Sequence, residues 1–347
     1  MAPEDLHLSL LIPDLLPPQL AEQAALAVDF KPLAQALSRA ERKRQGRAGL
    51  EATLFELFAV PLVAHRDLPV AAVGYLADAE RIPKGYCLRA DPVHLIPDRD
   101  QLVLLDSHAL ALEAHETEQL LAELNTVFAE DGWRFDAPRP ERWYLHLPGS
   151  PKLRTHPLAA VRGRAVRGYL PVGPDGKHWH RVMNEVQMLL HASPVNQARE
   201  AAGRPTVSSL WFWGGGELPA VPTGHWRQLW SNEPVSRGLA SLADVMHEPL
   251  PADAEQWLAG VTLPGDHLLV LDDLSAALQQ GGLEAWQQVL IELQRDWLLP
   301  LLTALRDRRF ASLLIHDCDG QQFSLTRGDL KRWWRRSLPL ERFVAPE

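Results

Sequence analysis

TVSSLWFWGGGELP, residues 206–219, is the stretch that decides the fold. Val207, Leu210, Trp211, Phe212 and Trp213 form a β-branched and aromatic run, which reads as a buried strand. Gly214, Gly215 and Gly216 follow it directly. A strand emptying into glycines lets backbone approach a ligand, and in open α/β sheets ligands lie off the carboxyl ends of strands. The residues by themselves favour core tryptophans and a chain turn, because GGG lacks the spacing and the lysine of a phosphate-binding loop. The helical pattern at 178–191, just upstream, sets Asn184, Glu185 and Gln187 beside Val182, Val186 and Leu190.

Outward from this stretch, apolar strands alternate with amphipathic helices in the first and last thirds of the chain. Leu6–Ile12, Asp266–Leu271 and Phe310–Ile315 read as strands. Pro32–Arg44, Leu50–Phe58, Pro234–Val245, Pro251–Leu258 and Leu283–Arg306 read as helices. That alternation predicts an α/β fold with a mostly parallel sheet flanked by helices. Between them, 69–77, 86–96, 101–105, 133–136 and 142–147 read as extended, with a helix at 116–129. The expectation is a strand-rich inserted α+β subdomain at 67–149 in a core made of 1–66 and 150–347.

The chain has 347 residues and a formal charge of −9, which excludes a general nucleic-acid binder, since phosphate contacts need a basic surface. Two cysteines, Cys87 and Cys318, are too few for a disulfide framework or a zinc site of their own. The apolar start is broken by Pro13 and Asp14 and lacks a basic leader, and no run reaches membrane-span length. The expectation is a soluble, cytoplasmic chain with no membrane and no nucleic-acid partner.

Acids follow three of the apolar strands: Asp14, Asp272 with Asp273, and Asp317 with Asp319. On parallel neighbours such carboxylates converge at one sheet edge, where they suit divalent cations beside a phosphoryl group. They serve equally as helix caps and turn residues. The last basic stretch, with Arg332, Trp333, Trp334, Arg335 and Arg336, reads as a helix over 328–336. Its tryptophans either dock on the sheet or form a partner surface.

The order of these parts resembles the cofactor-independent phosphoglycerate mutases of the archaeal type, in the alkaline phosphatase superfamily. The resemblance rests on the strand closing on Asp14, the strand-rich insert with GYCLRADPVHL (85–95), the Asp272–Asp273 strand end, the long helix and the His316–Asp317 strand end. Within that superfamily WYLHL (143–147), MNEVQMLLHASPVN (183–196) and SLWFWGGGELP (209–219) resemble the bacterial RpfE-type regulatory proteins. The resemblance implies a serine nucleophile opening the helix at LEATLFELF (50–58) and two metal sites. Here Leu50 and Glu51 stand where the serine is expected, Leu274–Leu278 offers no histidine, and His316–Asp317 reverses the family's Asp-His order.

The resulting expectation is a non-catalytic, mutase-like protein, with Asp14, Asp272, Asp273, His316 and Asp317 as vestiges and no cofactor. The alternative is a phosphotransferase or phosphohydrolase holding one divalent cation, manganese or magnesium, on Asp14, Asp272 and Asp317. For a protein partner or a small phosphorylated ligand, the expected binding set is Arg89, Glu185, Gln187, His191, Asn196, Trp211, Trp213 and Gly214–Gly216. Other roles fit some of these residues as well: a salt bridge of Arg89 with Asp91 or Asp106, a buried network for Glu185 and Asn196, a helix-end bond for His191.

Overall fold

The computed structural model describes residues 5–22, 30–44, 49–61, 63, 66–98, 101–105, 110–162 and 164–344. Arg47 and Asp106 fall outside these. The chain separates into two compact units, 1–60 with 221–347, and 61–220.

The first unit is built on a seven-stranded sheet. Its strands are β1 (Leu6–Leu11), β2 (Glu41–Arg44), β8 (Trp226–Trp230), β9 (Met246–Glu248), β10 (Gly265–Val270), β11 (Ser312–His316) and β12 (Gln321–Thr326), in the order β2-β12-β11-β1-β10-β8-β9. β11, β1, β10, β8 and β9 run parallel, whereas at one edge β12 pairs antiparallel with β11 and β2 antiparallel with β12. This is the mostly parallel sheet the strand–helix alternation predicts. β1 is buried at five of its six positions, as a strand covered by helices must be. Its Leu6, Leu8 and Leu10 pack into one core with Trp257, Trp286, Leu290, Leu301 and Phe323.

The second unit holds an antiparallel sheet of β3 (Tyr86–Asp98), β4 (Gln101–Leu105), β5 (Arg134–Arg139), β6 (Arg142–Leu147) and β7 (Ser209–Gly216). β3 is long enough to pair with β4 through its second half and with β6 and β7 through its first. Trp133 stacks on Trp179 at 5.3 Å between ring centres.

Several expectations change. The aromatic strand at 209–216 lies in this antiparallel sheet rather than the parallel one, because a strand buried on both faces reads alike in either. It carries 150–220 into the second unit, past the expected boundary at 149. Residues 70–79 form a helix, since alanines outweigh the two valines in VAAVGYLADA. Arg42–Arg44 belong to the edge strand β2 instead of a helix end. The expected helix over 283–306 starts earlier, at Asp273, and is interrupted at Gly282, whose φ of 66° no helix contains. It widens into a π-turn at Gln294–Leu298 before Leu299–Arg306. Pro300 has no N–H to give to the preceding turn, which accounts for the widening. The last helix covers only Arg327–Leu330, and Trp333 and Trp334 are exposed rather than docked.

Candidate functional site

In the first unit, strand register brings the acids together. β1 lies between β10 and β11, with Leu11 opposite both Val270 and His316. Asp14, Asp272 with Asp273, and Asp317 therefore leave the same edge of three adjacent strands. The next strand, β8, adds Ser231 and Glu233, which the sequence reading missed. Their signal was the Glu-Pro pair at 233–234, an acid capping a helix that opens on proline.

Most of these carboxylates are turned onto their own chain. Asp14 accepts the Ser275 hydroxyl, and its backbone carbonyl takes the Trp286 indole N–H at 2.7 Å. Asp317 accepts the backbone N–H of Asp319 and of Gln321 on Oδ1, at 2.8 and 2.9 Å, and Gln321 Nε2 on Oδ2 at 2.9 Å. Glu233 accepts Val235 and Ser236 N–H at the start of the 234–242 helix.

Burial dominates the electrostatics. It raises Glu233 to about 7 against its two N–H bonds, with Asp272 and Glu51 adding repulsion. Asp319 also rises to about 7, from burial and then the charges of Asp317 and Asp14. Asp272 and Asp317 are raised for the same first reason, and burial drives His316 down to about 4. Asp14 and Cys318 have φ of 56° and 63°, a left-handed backbone that tends to collect at functional sites.

A hydroxyl does stand at this edge. Gly49 N–H donates to the Cys318 carbonyl at 2.6 Å and ties the start of the 50–57 helix to the end of β11. In its first turn Thr53, buried, donates to the Gly49 carbonyl at 2.9 Å, and its hydroxyl also lies against the Cys318 thiol. A hydroxyl three residues past Leu50 is the one signal of it in the sequence. The donor set does not fit a metal: among the described residues no group of three or more His, Cys, Asp or Glu side chains is placed to hold one.

The expected ligand set lies in the second unit and is only partly brought together. Arg89 and Trp213 face each other across β3 and β7, and both hold Asp91: Arg89 Nη2 at 2.5 Å, Trp213 Nε1 at 2.6 Å. Arg89 also lies over the Tyr144 and Trp213 rings, at 5.1 and 5.5 Å. Its fork is thus spent on a buried salt bridge, one of the two roles left open above. Trp211 donates to the His156 carbonyl. Asn196 bridges Leu190 and Val207 backbone, a structural network. Gln187 reaches Ser209 at 3.4 Å, while Glu185 and His191 are exposed on their helix.

The glycines are close-packed rather than open to a ligand. A Cβ on Gly215 would overlap the Tyr86 hydroxyl, and one on Gly216 would lie 2.5 Å from Pro69 Cβ. Gly214, at φ 63°, donates its N–H to Thr155 Oγ1.

No family model matches the chain. A probable 2,3-bisphosphoglycerate-independent phosphoglycerate mutase of Geobacter sulfurreducens is 27% identical over 141 residues, 40% of this chain and 35% of its own length. The 2,3-bisphosphoglycerate-independent phosphoglycerate mutase of Methanosarcina mazei is 28% identical over 189 residues, 50% of this chain and 47% of its own. The chain thus matches less than half the length of these curated relatives. Among solved structures, the PH0037 protein from Pyrococcus horikoshii aligns over 93% of this chain and 87% of its own, at a TM-score of 0.56 and 12% identity. A cofactor-independent phosphoglycerate mutase from Thermoplasma acidophilum aligns over 97% and 94%, at a TM-score of 0.49 and 16% identity.

The relatives correct one expectation, that of a chain without a cofactor: 2,3-bisphosphoglycerate-independent mutases are metal-dependent, although the described residues do not assemble a metal site. The chain's homologues are cofactor-independent phosphoglycerate mutases of the alkaline phosphatase superfamily, at low identity, and its fold is a mixed α/β architecture with a mostly parallel sheet and a separate antiparallel one.

Proposed function

We propose that this chain is a non-catalytic, phosphoglycerate-mutase-like regulator of the bacterial RpfE type, acting in the cytoplasm by binding a partner. The observation that carries the reading is the state of Asp317. Both of its oxygens accept hydrogen bonds from the chain's own turn, where a working site would aim them at a cation or a phosphoryl group. The missing serine at Leu50 and Glu51 supports it. A protein partner suits the residues better than a small phosphorylated ligand, because the one buried arginine of the expected ligand set is already paired. The test is turnover of 3-phosphoglycerate and of a generic phosphomonoester by the purified chain with manganese. Mutase or phosphatase activity that Asp14→Ala abolishes would rule the reading out.

A second reading rests on Thr53. Its hydroxyl stands in the first turn of the 50–57 helix, tied to the end of β11, and would be the nucleophile of a phosphotransferase. Incubation with a phosphoglycerate followed by intact-mass and peptide mapping decides it: phosphate on Thr53 supports transfer, an unmodified chain counts against it.

A further inference from the structure

After the short helix Arg327–Leu330 the chain runs for ten residues, 331–340 (KRWWRRSLPL), without an acid. Trp333 and Trp334 are 81% and 64% exposed, and Leu338 beside them is 47% exposed. Indoles this exposed are uncommon, since each ring forfeits its apolar area to water.

The segment is tied back to the fold by side-chain bonds. Thr326 and Asp329 close a reciprocal capping box at the start of the helix. Arg332 pairs with Asp329 at 2.7 Å. Arg335 Nη1 donates to the carbonyls of Ser38, Arg39 and Ala40, at 3.0–3.4 Å, and Leu338 N–H donates to Ser38 Oγ at 2.9 Å. Two arginines therefore anchor the loop, while Lys331 and Arg336 stand exposed on either side of the tryptophans. Ala40 leads directly into β2, where Arg44 is exposed and Lys43 is paired with Glu41 at 3.3 Å.

The two indoles are edge to face, with centres 6.2 Å apart and planes at 84°. A single protein groove would not take both rings flat, whereas the headgroup layer of a bilayer accepts indoles at any tilt and prefers them at that depth. Basic residues beside them are drawn to anionic lipid. The overall charge of −9 does not oppose this at physiological salt, where charges beyond about 8 Å are screened and the local patch decides.

We propose that Lys331–Leu338 docks this chain reversibly on an anionic phospholipid surface, with Trp333 and Trp334 in the headgroup layer and Lys331 and Arg336 against the phosphates. Docking of this kind needs no spanning helix, and among the described residues no helix is long and apolar enough to cross a membrane. It is independent of whether the strand-end acids support turnover.

The test is co-sedimentation of the full chain with vesicles of phosphatidylcholine alone and of equal parts phosphatidylcholine and phosphatidylglycerol. The expected result is binding to the anionic vesicles only, reversed by high salt and lost in the double variant Trp333→Ala/Trp334→Ala. Lys331→Gln/Arg336→Gln is expected to weaken it about 30-fold, roughly fivefold per cation removed. Circular dichroism confirms that each variant is folded. No binding, equal binding to both vesicles, or unchanged binding by either folded variant would overturn the proposal. Capture by polyglutamate with the same tryptophan dependence, in place of vesicle binding, would assign the surface to an acidic protein instead and overturn it equally.

Discussion

Gln321 holds Asp317 from two directions: its backbone N–H donates to Oδ1 and its Nε2 to Oδ2, both at 2.9 Å. The same Nε2 reaches the Phe343 carbonyl at 2.7 Å, so the turn after β11 and the C-terminal segment share one carboxylate-centred network. Asp317→Asn sets an amide N–H₂ against donors it cannot satisfy. The expected loss of stability is about 1–3 kcal/mol, the usual cost of a buried hydrogen bond to a charged group left unmade. Urea unfolding of the variant beside the parent measures it.

In the second unit, Arg89→Met leaves the Asp91 carboxylate buried, with the Trp213 indole still donating to it. Breaking one side of a buried pair costs about 3–5 kcal/mol, more than deleting both charges together. The double variant Arg89→Met/Asp91→Leu is therefore expected to be more stable than Arg89→Met alone. If Arg89 instead served a ligand, the single variant would keep its stability and lose only binding.

The acids at the strand ends make stability depend on pH with a definite sign. Glu233 and Asp319 sit near 7 in the folded chain, above their ordinary carboxylate values. Between those ordinary values and 7 these two groups hold more protons in the folded state than in the unfolded one, so the stability they contribute falls as pH rises and levels off above 7. Asp319→Asn removes one of these charges at an oxygen that has no hydrogen-bond partner. It is expected to stabilise the chain at pH 8 and to flatten the decline below 7, read as Tm against pH. His316, held down at about 4, contributes the opposite slope in parent and variant alike, so the comparison between the two decides: a variant whose Tm keeps a constant offset from the parent's between pH 4 and 8 would contradict this.

Gly215→Ala tests the close packing after β7. Its methyl group would enter the space of the Tyr86 hydroxyl, and overpacking of this kind typically costs about 1–3 kcal/mol. Removing the hydroxyl in Gly215→Ala/Tyr86→Phe is expected to recover only part of the loss, since Leu88 Cδ2 at 2.7 Å and Tyr86 Cζ at 2.9 Å remain in the way.

The parallel sheet was legible because Leu6–Ile12, Asp266–Leu271 and Phe310–Ile315 are apolar runs closed by acids, a pattern only a covered strand needs. Convergence of those acids followed from strand adjacency, which register then supplied. What the acids do was not legible, because hydrogen bonding inward or outward depends on the turn that follows, as Gln321 shows. The sheet to which Trp211–Trp213 belong was misread because burial on both faces erases the alternation that marks antiparallel pairing. Thr53 was hidden by its place three residues past Leu50, in the first turn of its helix, whereas the exposure of Trp333 and Trp334 was one of the two readings that the last basic stretch left open.

The central claim is that this mutase-like chain does not perform mutase chemistry. It is tested most directly by following 2-phosphoglycerate formation from 3-phosphoglycerate with the purified full chain and manganese, beside Asp14→Ala and Thr53→Val. The account predicts that the parent gives no more product than either variant. Product formed by the parent and lost in both variants would contradict it.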